Sequence, residues 1–138
     1  HEPLLLLIRV RRFRCMACRA ITTVVPAETL TRRLYSAAAI AWSLALFGIS
    51  LLSTRAIRRM VSPMHTVGPT SAARWVTLLR WCRAVEARQL FPRVRHPADG
   101  SLRSVAEAAA ASIASYALPS PEPPGLPSLA FLGAARAA

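Results

Sequence analysis

Ser36-Ala37-Ala38-Ala39-Ile40-Ala41-Trp42-Ser43-Leu44-Ala45-Leu46-Phe47-Gly48-Ile49-Ser50-Leu51-Leu52 is the stretch on which the fold turns. No charge occurs between Arg33 and Arg55, so the segment is either a membrane span or the buried centre of a helical domain. A span needs about 20 apolar residues. This segment only just reaches that length, and Ser36, Ser43, Ser50, Ser53 and Gly48 interrupt it. Arg32 and Arg33 precede it while Arg55, Arg58 and Arg59 follow, so the flanking charge sets no orientation across a bilayer. Ser36 can accept a backbone N–H of the first turn, the usual opening of a helix in a protein core. The sequence therefore predicts a core helix over about 36–53. A small membrane protein with one span near 34–54 is the alternative.

Downstream, Thr54 is expected to cap a short helix ending at Val61, where Ser62-Pro63 stops it. Thr70 follows Pro69 and opens an amphipathic helix predicted over 70–88. At 100° per residue Trp75, Leu78, Leu79, Cys82 and Val85 form its core-facing stripe. Cys82 is thus expected as a packed thiol rather than a metal ligand. Arg74, Thr77, Trp81 and Arg88 cluster on another face with Arg80 beyond them, an arrangement suited to phosphate contact and groove insertion. Three helices at about 36–53, 54–61 and 70–88 make a helix-turn-helix arrangement. The connection from Ser62 to Pro69 is eight residues long and longer than the tight motif uses. A hinge follows at Phe91-Pro92 and His96 to Gly100. Ser101 then opens an Ala-rich helix over 101–117, and Pro119 to Pro127, with five prolines, reads as an extended linker. The last eleven residues allow one more short helix.

Upstream lies Arg9-Val10-Arg11-Arg12-Phe13-Arg14-Cys15-Met16-Ala17-Cys18-Arg19, in which alternating Arg and apolar residues run into a Cys-x2-Cys knuckle. Two thiolates so spaced can turn back on one metal ion, which is half of a zinc-ribbon site. Strands predicted over 4–14 and 20–25 flank the knuckle. Ile21-Thr22-Thr23-Val24-Val25 is β-branched throughout, and Pro26 ends it. A hairpin of this size is marginal without metal or packing. The chain begins with His1 rather than Met, and a fragment lacking an upstream knuckle is the expectation. Zinc would then be the cofactor of a longer form. For these 138 residues, weak or absent zinc binding is expected, with Cys15 and Cys18 as the metal residues.

Charge supports an anionic partner. The net charge is +12, and all 18 basic residues are Arg. Sixteen of them lie between Arg9 and Arg95, where the only acids are Glu28 and Glu86, giving 16 − 2 = +14 for that segment. Such a field favours nucleic acid or an anionic membrane surface. Lys and Asn are absent while Ala, Arg, Leu and Pro abound. That is the composition a GC-rich genome writes, and a non-functional fragment from such a genome is a further alternative. Three unequally spaced cysteines form no disulfide framework, and no cleavable signal peptide is evident, so a reducing cytoplasm is expected.

Catalysis finds no support. Glu2, Glu28, Glu86, Asp99, Glu107 and Glu122 are scattered, with no two at catalytic spacing on one strand or helix face. There is no Gly-rich phosphate loop, no nucleophile elbow and no His-Glu-x-x-His. His1, His65 and His96 stand in loop-like contexts. The expectation is a protein without enzymatic activity.

The run Arg12-Phe13-Arg14-Cys15-Met16-Ala17-Cys18, then Thr22-x-Val24-Val25-Pro26, then Arg32-Arg33-Leu34-Tyr35-Ser36 opening a helix, resembles a group of bacterial insertion-element, transposase-like proteins. In that group a zinc-ribbon-like segment leads into a helix-turn-helix region ending in an Arg-Trp pair, a place that Arg74-Trp75 and Arg80-Trp81 could fill here. The resemblance covers roughly residues 8–85, lacks a first Cys pair, and implies DNA binding by a transposon-associated protein.

The expectation is thus a mainly α protein with a small N-terminal β hairpin carrying the knuckle, a three-helix domain, and an Ala/Pro-rich C-terminal extension. Its parts are a hairpin (1–26), a helical DNA-binding domain (27–90) and the extension (91–138). Arg9, Arg11, Arg12, Arg14 and Arg19 would hold phosphates around the knuckle. Arg55, Arg58 and Arg59 would hold flanking backbone, while Arg74, Thr77, Arg80 and Trp81 face a groove. The partner expected is DNA, with a homodimer left open.

Overall fold

The computed structural model describes residues 4–26, 29–30, 33–64, 74–95, 100–122 and 124–138. Among them are two strands, β1 (Arg11–Arg14) and β2 (Ile21–Val24), and five helices. The helices are α1 (Ala37–Gly48), α2 (Thr54–Val61), α3 (Val76–Glu86), α4 (Leu102–Ala114) and α5 (Leu126–Ala137). The protein is mainly helical with a small antiparallel hairpin at its N-terminal side.

α1 sits at the centre. Ser36 caps it by accepting the Ala39 N–H at 3.1 Å. Ser43, fully buried in an apolar helix, donates its hydroxyl to the Ala39 carbonyl at 2.7 Å, so the one buried polar side chain among the described residues is satisfied within its own helix. A helix that is apolar all round needs partners on every side. α4 and α5 supply most of them. The three pack through small residues: Ala37, Ala41 and Ala45 of α1, Ala106, Ala109 and Ala110 of α4, and Ala130, Ala134 and Ala137 of α5 are all buried completely. Side chains this short let backbones nearly touch. A Cβ at Gly48 would collide with the backbone of Glu107, and one at Gly133 with the Ile113 carbonyl.

α1 therefore stops at twelve residues instead of running to 53, and Leu51 turns the chain with φ 55°. No described helix is long and apolar enough to cross a membrane. The span considered for 34–54 is not one helix. It is α1, a turn, and the start of α2.

The two arginines outside the basic segment fasten this helical trio. Arg103 donates to the Phe47 carbonyl at 2.6 Å and lies 4.3 Å from the centre of the Phe47 ring, closing the last turn of α1 from α4. Arg136 of α5 donates to the Tyr116 carbonyl just past α4 at 3.2 Å. The expected boundary near residue 90 thus falls inside a packed unit. Helices assigned to a C-terminal extension complete the core around α1 instead. α5 begins at Leu126 with Pro127 in its first turn, where the missing N–H costs nothing, so the end of the expected linker is helical.

α2 and α3 lean on α1 from another side. Ser53, one residue before the expected cap, accepts the Ala56 N–H at 3.2 Å. Thr54 is freed to accept the Trp75 N–H at 3.4 Å, which ties α2 to the start of α3. The Thr70 cap lies outside the described residues. The helix itself begins only at Val76.

Candidate nucleic-acid interface

β1 and β2 pair with Arg11 opposite Val24, Arg12 opposite Thr23, Phe13 opposite Thr22 and Arg14 opposite Ile21. Strand alternation places Arg12 and Arg14 on one face, and Arg11 with Phe13 on the other. All eight strand residues are exposed, Phe13 at 54%. Arg9 leads into the hairpin and is exposed as well. The strands are shorter than the runs 4–14 and 20–25 expected from the sequence.

The turn between them is the Cys-x2-Cys knuckle. Cys15 N–H donates to the Ala20 carbonyl at 2.8 Å, and Arg19 N–H to the Cys15 carbonyl at 3.0 Å. Arg19 closes the turn in the left-handed region, φ 59°. Cys15 and Cys18 are both exposed and free. The Cys18 N–H, then the Cys18 thiol, then the Ala17 N–H point at the Cys15 sulfur and hold its thiol below the ordinary value. Amides converging on a sulfur favour the thiolate that a metal needs. The fit to zinc is half complete: two thiolates are presented, and no group of three or more metal-ligating side chains occurs among the described residues. His1, His65 and His96 lie outside those residues.

α3 carries the other set of expected contacts, and its orientation differs from the one foreseen. Of the expected stripe, Trp75, Leu78, Cys82 and Val85 are buried and Leu79 is half-buried. Burial pushes the Cys82 thiol up to about 12, so it stays protonated and inert at neutral pH. Trp81, however, is only 2% exposed and cannot enter a groove. It stands edge-on to Tyr35 and Trp75 at 5.0 and 5.1 Å, with Tyr35 and Trp75 5.8 Å apart. The Tyr35 hydroxyl meets the Ser62 hydroxyl at 2.7 Å. This cluster joins the chain before α1, the end of α2 and α3. Thr77, beside Trp81, is half-buried.

The open face of α3 is instead Val76, Arg80, Arg83 and Glu86, continued by Ala87 just past its end, on one side of the helix. Each Arg-Trp doublet divides in the same way. Arg74 and Arg80 are outside, and Trp75 and Trp81 are inside. Arg83 was missed in the sequence, although its i+3 spacing from Arg80 was available as a signal. Arg88, with φ 55°, is the left-handed residue just past the helix end and is exposed. Gln89 N–H returns to Ala84 at 2.8 Å to complete that cap.

On α2, Arg55 and Arg59 are exposed and Arg58 is half-buried. Across the segment 9–95, fourteen of the sixteen arginines are exposed, with Arg58 half-buried and Arg32 outside the described residues. Hairpin, α2, α3 and the turn at 88–95 all carry exposed arginines. The chain matches no family model, no curated protein and no solved structure.

Proposed function

We propose that this chain binds duplex DNA, as the DNA-binding module of a transposon-associated protein, and that it does so without catalysis. The observation that carries the reading is the set of fourteen exposed arginines, in a segment whose only acids are Glu28 and Glu86. Guanidinium groups match phosphate oxygens in bidentate geometry and remain charged at any physiological pH. Arg9, Arg11, Arg12, Arg14 and Arg19 hold phosphates from the hairpin. Arg55 and Arg59, with Arg58 at the edge, hold the flanking backbone. Arg74, Arg80 and Arg83 serve the groove, and Trp81 orients them from inside. The resemblance around Arg12–Cys18 and the Arg-Trp doublets supports the transposon-associated context. Exposed free thiols suit a reducing cytoplasm.

Salt dependence tests the proposal. Affinity for duplex DNA should fall linearly on a log–log plot, with a slope of about −0.9 per phosphate contacted. Replacing Arg11, Arg12 and Arg14 together by Ala should weaken binding to all sequences and make the slope shallower by up to about 2.7, three contacts at about 0.9 each. Replacing Arg80 and Arg83 should lower discrimination between sites by about 1–3 kcal/mol. An affinity unchanged between low and moderate salt, or binding to anionic vesicles in place of DNA, would end the reading.

A further inference from the structure

The knuckle offers two thiols, and no described residue of the helical body completes a metal site around them. Cys15 and Cys18 stand exposed at the tip of a hairpin whose strand side chains are all exposed too. A closed structural zinc site has four ligands in tetrahedral geometry. The third cysteine of the chain, Cys82, is fully buried on the core side of α3 and cannot reach solvent without unpacking that helix. Among the described residues no third ligand joins the pair. The demand for four ligands and the supply of two thiolates among the described residues, on an accessible tip, are met together by symmetry. Two copies related by a two-fold axis bring two knuckles to one ion, in the self-complementary contact that closes a dimer.

We infer that two copies of this chain share one zinc ion through Cys15 and Cys18 of each, forming a metal-bridged dimer at the hairpin tips. Four thiols lose four protons to solvent as the ion binds, and the resulting tetrathiolate centre carries a net charge of −2 from one divalent cation and four thiolates. Arg14 and Arg19 flank the knuckle in each copy. They place four guanidinium charges around that negative centre, so the arginines that would otherwise repel at the tip gain a counter-charge. The inference is independent of DNA binding, since a monomer can bind DNA and a dimer can form without it.

Zinc content and mass in solution decide it. The reduced chain, titrated with zinc alone, should hold one ion per two chains and sediment with the mass of two. A strong chelator should return it to the mass of one. Cys15→Ser and Cys18→Ser should each abolish both the metal and the dimer while leaving helical circular dichroism unchanged, because neither side chain contributes to the core. Cys82→Ala should keep both. Cobalt in place of zinc should give the intense visible bands of a tetrahedral thiolate site, lost in the Cys15 variant. One ion held per monomer, no ion retained after desalting, or a dimer indifferent to chelator would each overturn the inference.

Discussion

In the hairpin, every side chain of Arg11–Arg14 and Ile21–Val24 meets solvent. In the trio of α1, α4 and α5 the contact is so close that a methyl group at Gly48 or Gly133 would strike a neighbouring backbone. The first region has backbone pairing and charge but no buried apolar surface, and the second has burial and almost no charge. Apolar area removed from water is the main source of folding free energy, at roughly 25 cal/mol per Å². Stability therefore resides in the helices. The hairpin is held by its ladder bonds. The arginines follow the same division: those at 9–95 are mostly turned outward, while Arg103 and Arg136 bond helix-end carbonyls.

The sharpest way to break this contrast is to truncate one large side chain in each region. Trp81→Ala removes an indole packed against Tyr35 and Trp75 and should cost about 3–5 kcal/mol in chemical denaturation. Phe13→Ala in the hairpin should stay within about 0.5 kcal/mol. A comparable loss from Phe13→Ala would mean that the hairpin packs on a surface after all.

The thiols give a second comparison, and it depends on pH. Cys15 and Cys18 should react with a thiol reagent at neutral pH in the native protein, whereas Cys82 should wait for unfolding. The Cys82 thiol rises from 9.0 to about 12 on folding. Below pH 9 both folded and unfolded chains keep it protonated, and its contribution to stability is constant. Between about 9 and 12 only the unfolded chain ionises, so stability should fall with pH by at most about 1.4 kcal/mol per unit. Cys82→Ala should remove that slope, and a slope that persists would assign it to another group.

A smaller effect concerns Arg88, the left-handed residue at the end of α3. Arg88→Gly should stabilise by about 0.5–1 kcal/mol, because glycine adopts positive φ without steric cost. The same change at Arg19, in the exposed turn, should leave global unfolding unchanged. If Arg88→Gly destabilises instead, the Arg88 side chain matters more than its backbone does.

Much of this arrangement was legible in local chemistry. Ser36 and Ser101 cap the helices they were expected to cap, and the Trp75, Leu78, Cys82, Val85 stripe faces inward. What escaped was decided by partners distant in sequence. The small residues of α4 and α5 carry no amphipathic signature strong enough to announce a partner, and only the depth of their approach to α1 reveals it. Trp81 lies to one side of the α3 stripe on a helical projection. Tyr35 and Trp75 close over that side, and the steps of three from Leu78 and four to Val85 also put Trp81 there, a signal hidden by its pairing with Arg80. Ser53 and Thr54 are equally able caps, and Thr54 is taken by the Trp75 N–H. At the candidate interface, the arginine clusters could be named from the sequence. The open face of α3 was signalled only by the i+3 spacing of Arg80 and Arg83.

Arg103 closes the last turn of α1 from 56 residues away, and α5, which also packs on α1, ends at Ala137. This separation sets an order of events during synthesis. At roughly 5–20 residues per second, α1 waits about 4–18 s between its own completion and the arrival of its last partner. For that interval the growing chain displays an apolar helix whose cover is incomplete. The nascent protein is at its most adhesive just then, and any translational stop before residue 126 would make that condition permanent.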